Sequence, residues 1–122
     1  MALQGLERKT DPQLIELIVQ LRKMGSENDA PIWSEVAERL SKPARNWAQV
    51  NVAKVEAVAG KEPAVVCGKV LSTGDLTQPI QVAAVRFSEN ARAKIKASGG
   101  KALGILEVAQ KHPKGTGVHL VA

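Results

Sequence analysis

The spacing of apolar residues divides this chain of 122 residues into two parts. Up to about residue 60 the apolar residues recur at helical intervals of three and four positions. From Ala64 onward they form short β-branched runs interrupted by glycine, which is typical of strands. We therefore expect an α/β fold in one domain spanning residues 1–122, with 1–60 mainly helical and 61–122 mixed α/β.

Two amphipathic helices are expected in the first part. The first begins through Thr10, Asp11 and Pro12, which offer a capping side chain and a first-turn proline, and is expected to end at Gly25. The second runs from residue 29 to about residue 40, with apolar residues at intervals of four. The stripe of the first helix consists of Leu14, Ile15, Leu17, Ile18 and Leu21. Together the two helices predict an N-terminal helical hairpin.

A basic loop and a third helix follow. Pro43 disfavours helical geometry in the residue before it, so residues 41–46 are expected to form a surface loop. Asn51 is placed to cap a short helix that runs to Val58 and closes at Gly60.

The last part alternates short strands with short helices. Ser88 is expected to cap a helix over residues 89–97, which ends at the glycines after Ser98. Strands are expected at residues 65–67, 70–71, 80–87, 103–105 and 118–121, with a turn at 72–75 and a helix at 106–111. The overall prediction is a helical hairpin followed by an irregular core of short strands and short helices.

Positive charge is concentrated in the later part. Residues 1–40 hold 5 basic and 7 acidic side chains (net −2), whereas residues 41–122 hold 12 basic and 5 acidic (net +7). Aromatic residues make up only 2% of the chain, so the core is expected to be mostly aliphatic. The positive field of residues 41–122 favours a polyanionic partner.

No catalytic or metal-binding pattern is present. Cys67 lies in an apolar run and is interpreted as a small buried hydrophobe, and His112 and His119 have no acidic cluster beside them. The glycines match no nucleotide-binding motif. No apolar stretch approaches the roughly 20 residues of a membrane span, and the N-terminal residues lack the basic region followed by an apolar region that is typical of a signal peptide. We expect no enzyme activity, metal, cofactor, membrane contact or small-molecule substrate, and a cytoplasmic location.

The charged and aromatic surface residues admit two interpretations. A run such as Arg92, Lys94 and Lys96 is usually a solvated helix face, and glycines at 99–100 and 115 serve turn geometry. The same glycines beside Lys101 and Lys114 also suit RNA phosphates. Trp47 is expected either to stack on an unpaired base or to close the core over the first two helices.

Eight short motifs occur in order along nearly the whole chain. They are residues 30–33 (with 36–37 and 39–40), 42–43, 50–52, 68–71, 87–91, 94–95, 99–101 and 113–115. In this order they resemble the archaeal and eukaryotic large-subunit ribosomal protein family "eighteen-e", a relative of the bacterial large-subunit protein "fifteen". The compact length is similar to that of archaeal members.

The resemblance implies a structural constituent of the large ribosomal subunit, held by basic loops and helix ends to large-subunit rRNA and adjoining other large-subunit ribosomal proteins. The RNA-binding residues expected on this basis are Lys42, Arg45, Asn46, Asn51, Lys54, Lys69, Arg92, Lys94, Lys96, Lys101 and Lys114. The alternative is a free protein-interaction module that docks a partner on the exposed stripe of the helical hairpin. A small hydrolase would require Cys67 to be exposed beside a histidine.

Overall fold

The computed structural model describes residues 11–121, so the expected part played by Thr10 in the first helix lies outside the described residues. The elements in this range are α1 (Pro12–Glu27), α2 (Pro31–Ser41), β1 (Ala48–Asn51), α3 (Val52–Ala59), β2 (Pro63–Leu71), β3 (Gln81–Phe87), α4 (Glu89–Ala97), β4 (Lys101–Leu103), α5 (Ile105–Lys111) and β5 (His119–Val121). A 3₁₀ turn, Ala44–Asn46, lies between α2 and β1. The α/β class and the N-terminal helix pair are confirmed.

The helix pair begins as its sequence indicates but extends further. The carboxylate of Asp11 accepts a hydrogen bond of 3.0 Å from the backbone N–H of Gln13, and Pro12 occupies the first turn of α1. The expectation that Gly25 ends this helix is wrong, because α1 continues to Glu27. A Cβ atom on Gly25 would lie 2.2 Å from Ser34 Oγ, so this glycine allows α1 and α2 to approach closely.

The five strands form one parallel sheet with β2 at its centre. The strand order is β1-β2-β3-β4, and β5 also pairs with β2. Since β3 occupies one edge of β2, the other edge is shared by β5, beside residues 64–66, and β1, beside residues 68–71. A β2 strand paired on both edges and covered on both faces explains the nearly unbroken apolar run from Ala64 to Cys67.

Two apolar clusters pack against opposite faces of this sheet. The first joins α1, α2 and α5 to Val65, Cys67 and Ala83. The second joins α3 and α4 to Val66 and Val82. Alternate side chains of β2 therefore pack into different clusters, as the two-residue period of a strand requires.

Three local expectations need correction. The runs at 65–67 and 70–71 belong to one nine-residue strand, β2. The segment 48–51 is a strand that the sequence did not predict, and Asn51 occupies the N-cap of α3 without a side-chain capping hydrogen bond. Finally, Ile105 begins α5 and is buried in the first cluster, so β4 ends at Leu103 and Gly104 becomes the N-cap.

Candidate nucleic-acid interface

The parallel sheet separates the expected RNA-binding residues into groups at its two ends. Asn51, Leu71 and Phe87 end β1, β2 and β3 at one side, which we call the carboxyl edge. The amino ends of β2, β3, β4 and β5 lie at the opposite side, the amino edge. Each helix or loop that joins two strands begins at one edge and returns to the other, so chain order alone does not indicate which cations are neighbours.

Four of the expected residues lie at the carboxyl edge. Asn51 ends β1, Lys54 lies in the first turn of α3, Lys69 lies two residues before the end of β2, and Arg92 lies in α4. The side chain of Asn51 is exposed. Arg92 holds its guanidinium 5.0 Å from the ring centroid of Phe87, a cation–π contact that fixes its direction.

Arg86 joins this group, although the sequence did not mark it as an RNA-binding residue. It is exposed, and it is the direct register neighbour of Lys69 across β2 and β3. On the other side of Lys69 lies Gln49 of β1, which is also exposed. Lys69 and Arg86 share a sequence signal, because each cation interrupts a run of apolar residues close to the carboxyl end of its strand.

The ammonium of Lys94 binds backbone carbonyls of the protein itself. Its Nζ atom donates hydrogen bonds of 2.7 Å to the carbonyl oxygens of Ser72 and Gly74 in the loop between β2 and β3. An ammonium has three N–H donors, so at most one remains for RNA. Lys94 therefore has this loop as its main partner in the protein, and its contact with RNA stays a prediction.

The same loop is held from its other side by α3. The carboxylate of Glu56 accepts a 2.8 Å hydrogen bond from the backbone N–H of Thr77 and a second bond from the Thr77 hydroxyl. These bonds lower the pKa of Glu56 from its ordinary value of 4.5. Gly74 also lies against α3, since a Cβ atom there would be 2.4 Å from Ala53 Cβ. The loop is thus fixed between α3 and α4 at the carboxyl edge.

Lys96, Lys101 and Lys114 belong to the amino edge. Lys96 lies in the last turn of α4, Lys101 begins β4 beside Gln81, and Lys114 lies in the turn before β5. Lys114 lines an open depression of about 400 Å³ that also contains Lys111, a cation not singled out from the sequence. The remaining lining residues of the depression are Asn28, His112, Pro113 and Thr116.

The loop before β1 carries the last group. Lys42, Arg45 and Asn46 are exposed, as expected of a basic surface loop. Trp47 is half-buried against the first cluster and donates a 3.1 Å hydrogen bond from its indole nitrogen to the carbonyl oxygen of Lys42. Its position matches the interpretation in which it closes the core.

The residues considered for other chemistry have structural surroundings. Cys67 is 2% exposed, and burial raises the pKa of its thiol to about 11, which leaves it protonated and unreactive at neutral pH. The Nε2 atom of His119 lies 3.4 Å from a carboxylate oxygen of Glu62. The carbonyl oxygen of His112 accepts a 3.0 Å hydrogen bond from the indole of the buried Trp33. Within residues 11–121, no three His, Cys, Asp or Glu side chains are grouped to hold a metal ion.

The stripe of the first helix faces inward. Ile18 and Leu21 have no exposed surface, and Leu14 is half-buried against the same cluster. The interaction-module alternative required these side chains to be exposed, so the structure gives it no docking surface there. Among the helices that the structure describes, none has the length and apolar character needed to cross a membrane.

Comparison with known proteins decides the family. A family model described as "Ribosomal protein 60S L18 and 50S L18e" matches residues 4–122. The chain belongs to this family. It is 49% identical over 115 residues to the large ribosomal subunit protein eL18 of Archaeoglobus fulgidus, and the matched region covers 93% of this chain and 98% of the relative. The eL18 protein of Methanopyrus kandleri is 44% identical, over 92% of this chain and 93% of the relative. The eL18 protein of Halobacterium salinarum is 38% identical, over 93% of this chain and 97% of the relative.

Membership of the L18 and L18e family confirms the resemblance carried by the ordered motifs. These three relatives are archaeal, in agreement with the expected archaeal type. Since the family consists of ribosomal proteins, it also confirms the prediction of a structural protein rather than an enzyme.

Proposed function

We propose that this protein is a structural constituent of the large ribosomal subunit that binds and stabilises large-subunit rRNA, next to other large-subunit ribosomal proteins in the cytoplasm. The observation that carries the proposal is the match to the L18 and L18e family over residues 4–122, together with relatives named as large ribosomal subunit proteins. The excess of cations in residues 41–122 supports a polyanionic partner.

The proposed RNA contacts fall into three groups. The carboxyl-edge group consists of Asn51, Lys54, Lys69 and Arg92, the amino-edge group of Lys96, Lys101 and Lys114, and the loop group of Lys42, Arg45 and Asn46. All but Lys69, which is half-buried, are exposed. Lysine and arginine neutralise phosphates and release counterions, which supplies affinity without reading base sequence.

Contacts at two edges suggest a bracing role. Lys69 is the neighbour of Arg86 on β3, whereas Lys101 is the neighbour of Gln81 on the same strand. Five residues of strand separate these positions by roughly 16 Å along the sheet. A rigid sheet with cations at both ends can hold two RNA segments at a fixed distance, and that is the role we assign to this fold.

Lys94 has a supporting part in the proposal. It holds the loop at residues 72–74 from the α4 side, so the loop keeps a constant shape at the carboxyl edge. RNA is recognised largely through shape and backbone, for which a fixed protein surface is an advantage. We therefore treat Lys94 as a positioning residue.

Sedimentation tests the function. A tagged form of the full chain, expressed in an archaeal host, is expected to sediment with large ribosomal subunits and to be released from them by high salt. Sedimentation with small subunits only, or with no ribosomal particle, would overturn the proposal. The charge reversal Lys101→Glu is expected to weaken this association more than Lys23→Glu, a change on the exposed side of α1.

A further inference from the structure

A register shift in the sheet brings two cations together. Val66 of β2 lies beside Ala84 of β3, so an unbroken register would set Gly68, not Lys69, beside Arg86. The register shifts between Val66 and Lys69, and the shift sets Lys69 directly beside Arg86. Irregularities of this kind re-aim side chains and are frequent beside functional sites.

A glycine adds a third residue to the pair. A Cβ atom on Gly68 would lie 2.0 Å from the carbonyl oxygen of Ala48, so only glycine allows β1 to approach β2 at this point. The approach sets Gln49 beside Lys69 on the side opposite to Arg86. Gln49, Lys69 and Arg86 therefore form a row across three strands, which we call the basic row.

The basic row lies beyond the part of the sheet face that the helices of the first cluster cover. Cys67, two residues before Lys69 on the same face of β2, is buried in the first cluster, and the charges of Glu35 and Arg39 on α2 act on its thiol. Two residues further on, Lys69 is only half-buried, and its neighbours in the row are exposed. The end of this sheet face is thus open to a partner.

Within residues 11–121, the two cations of the row have no ion-pair partner. Neighbouring strands lie about 5 Å apart, and like charges directly opposite each other destabilise a sheet. Neither Lys69 nor Arg86 forms an ion pair or a side-chain hydrogen bond with any residue in the range 11–121. An arrangement that costs free energy in the isolated protein becomes favourable once an anion lies between the two cations.

We propose that the basic row is a binding site for a phosphate group of an RNA backbone. The proposal rests on the proposed function, which supplies the RNA. The planar guanidinium of Arg86 suits two phosphate oxygens at once, Lys69 adds a point charge, and the amide of Gln49 can donate to a neighbouring oxygen. The site contacts the backbone and so fixes position rather than base identity.

Binding of the full chain to transcribed large-subunit rRNA is measured for wild type, Lys69→Gln/Arg86→Gln and the control Lys23→Gln/Lys61→Gln, which removes the same charge from exposed positions. In the Lys69→Gln/Arg86→Gln variant, the magnitude of the slope of log affinity against log salt concentration is expected to fall by about one. Between 50 and 200 mM salt, the affinity of this variant for the rRNA is then expected to fall about 3.5-fold less than that of the wild type. The control is expected to keep the wild-type slope. Equal slopes in the two variants would overturn the site.

A second measurement needs no ribosomal RNA. Tripolyphosphate is expected to raise the Tm of the wild type and of the control, and to raise that of the site variant much less. Equal shifts in both variants would overturn the anion site, whether or not the wild type binds rRNA. If the wild type fails to bind rRNA while this difference persists, the proposed function and the assignment of RNA as the ligand are overturned.

The single variant Arg86→Gln separates binding from folding. It removes a like-charge contact, so at low salt the free protein is expected to melt no lower than the wild type. A lower Tm would mean that the pair supports the fold, and would overturn the site.

Discussion

The ammonium of Lys94 donates a 2.7 Å hydrogen bond to the carbonyl oxygen of Gly74 and so ties α4 to the loop that follows β2. A second bond of the same length reaches Ser72. Both carbonyls belong to a loop that has left the sheet and has no strand partner there. The lysine therefore satisfies backbone acceptors that would otherwise depend on solvent.

We expect Lys94→Met to lower the free energy of unfolding by about 1–2 kcal/mol, because hydrogen bonds from a charged group to half-buried carbonyls are lost while the apolar stem is kept. Urea unfolding at equilibrium measures the change. Lys96→Met is the matched control, since Lys96 lies in the same helix and is exposed. Equal losses in the two variants would contradict the role that we assign to Lys94.

The close contact between α1 and α2 predicts the effect of Gly25→Ala. Alanine is better than glycine in a helix by about 1 kcal/mol, but its Cβ would lie 2.2 Å from Ser34 Oγ and 2.9 Å from the Ser34 backbone nitrogen. We expect the contact to dominate and the variant to lose about 1–2 kcal/mol, seen as a lower urea midpoint. Ser26→Ala, at an exposed neighbouring position, is expected to be neutral or slightly stabilising. A more stable Gly25→Ala protein would show that the helices can separate at no cost.

Features that depend on neighbouring residues in the chain could be predicted from the sequence. Ser88 accepts a 3.1 Å hydrogen bond from the backbone N–H of Ala91, and α4 spans the expected residues 89–97. Pro12 likewise lies in the first turn of α1. Capping by Ser88 and the first-turn position of Pro12 depend on adjacent residues, so the sequence contains the signal for both, whereas Asn51 occupies its N-cap without the expected side-chain hydrogen bond.

Features that depend on residues far apart in the chain could not be predicted from the sequence. The four-residue strand β1 exists because Gly68, twenty positions after Ala48, lets two backbones meet. Gly25 was predicted to end α1 because the sequence does not show its close contact with Ser34, which lies in the next helix. The same limit applies to the candidate site. The exposure of most of its cations could be expected from their charge, whereas the pairing of the half-buried Lys69 with Arg86 follows from a strand register that the sequence does not encode locally.

The carboxylate of Glu56 predicts a dependence of stability on pH. Its hydrogen bonds to Thr77 lower its pKa in the folded protein, so its contribution is fully present above about pH 4.5 and is lost as the pH falls through the lowered value. We expect Glu56→Gln to melt below the wild type at pH 7 and the difference in Tm to shrink as the pH falls below 4.5 and through the lowered pKa. Glu38→Gln, which alters a carboxylate without a described hydrogen bond, should show no such convergence. A gap between Glu56→Gln and wild type that is independent of pH would contradict the assignment.

Cys67 predicts a loss of stability in alkali. Burial raises the pKa of its thiol from the ordinary value of 9.0 to about 11, so the unfolded chain releases its proton first as the pH rises. The stabilisation is present below pH 9 and is lost between about pH 9 and 11, by on the order of 2–3 kcal/mol. Urea unfolding of wild type and Cys67→Ala across this range isolates the thiol, because all other titrating groups are shared. At pH 8 the folded protein should not react with a thiol reagent, whereas the urea-unfolded chain should react with one equivalent. Reaction of the folded protein at the rate of the unfolded chain, or parallel stability curves for the two proteins, would contradict the buried position of Cys67.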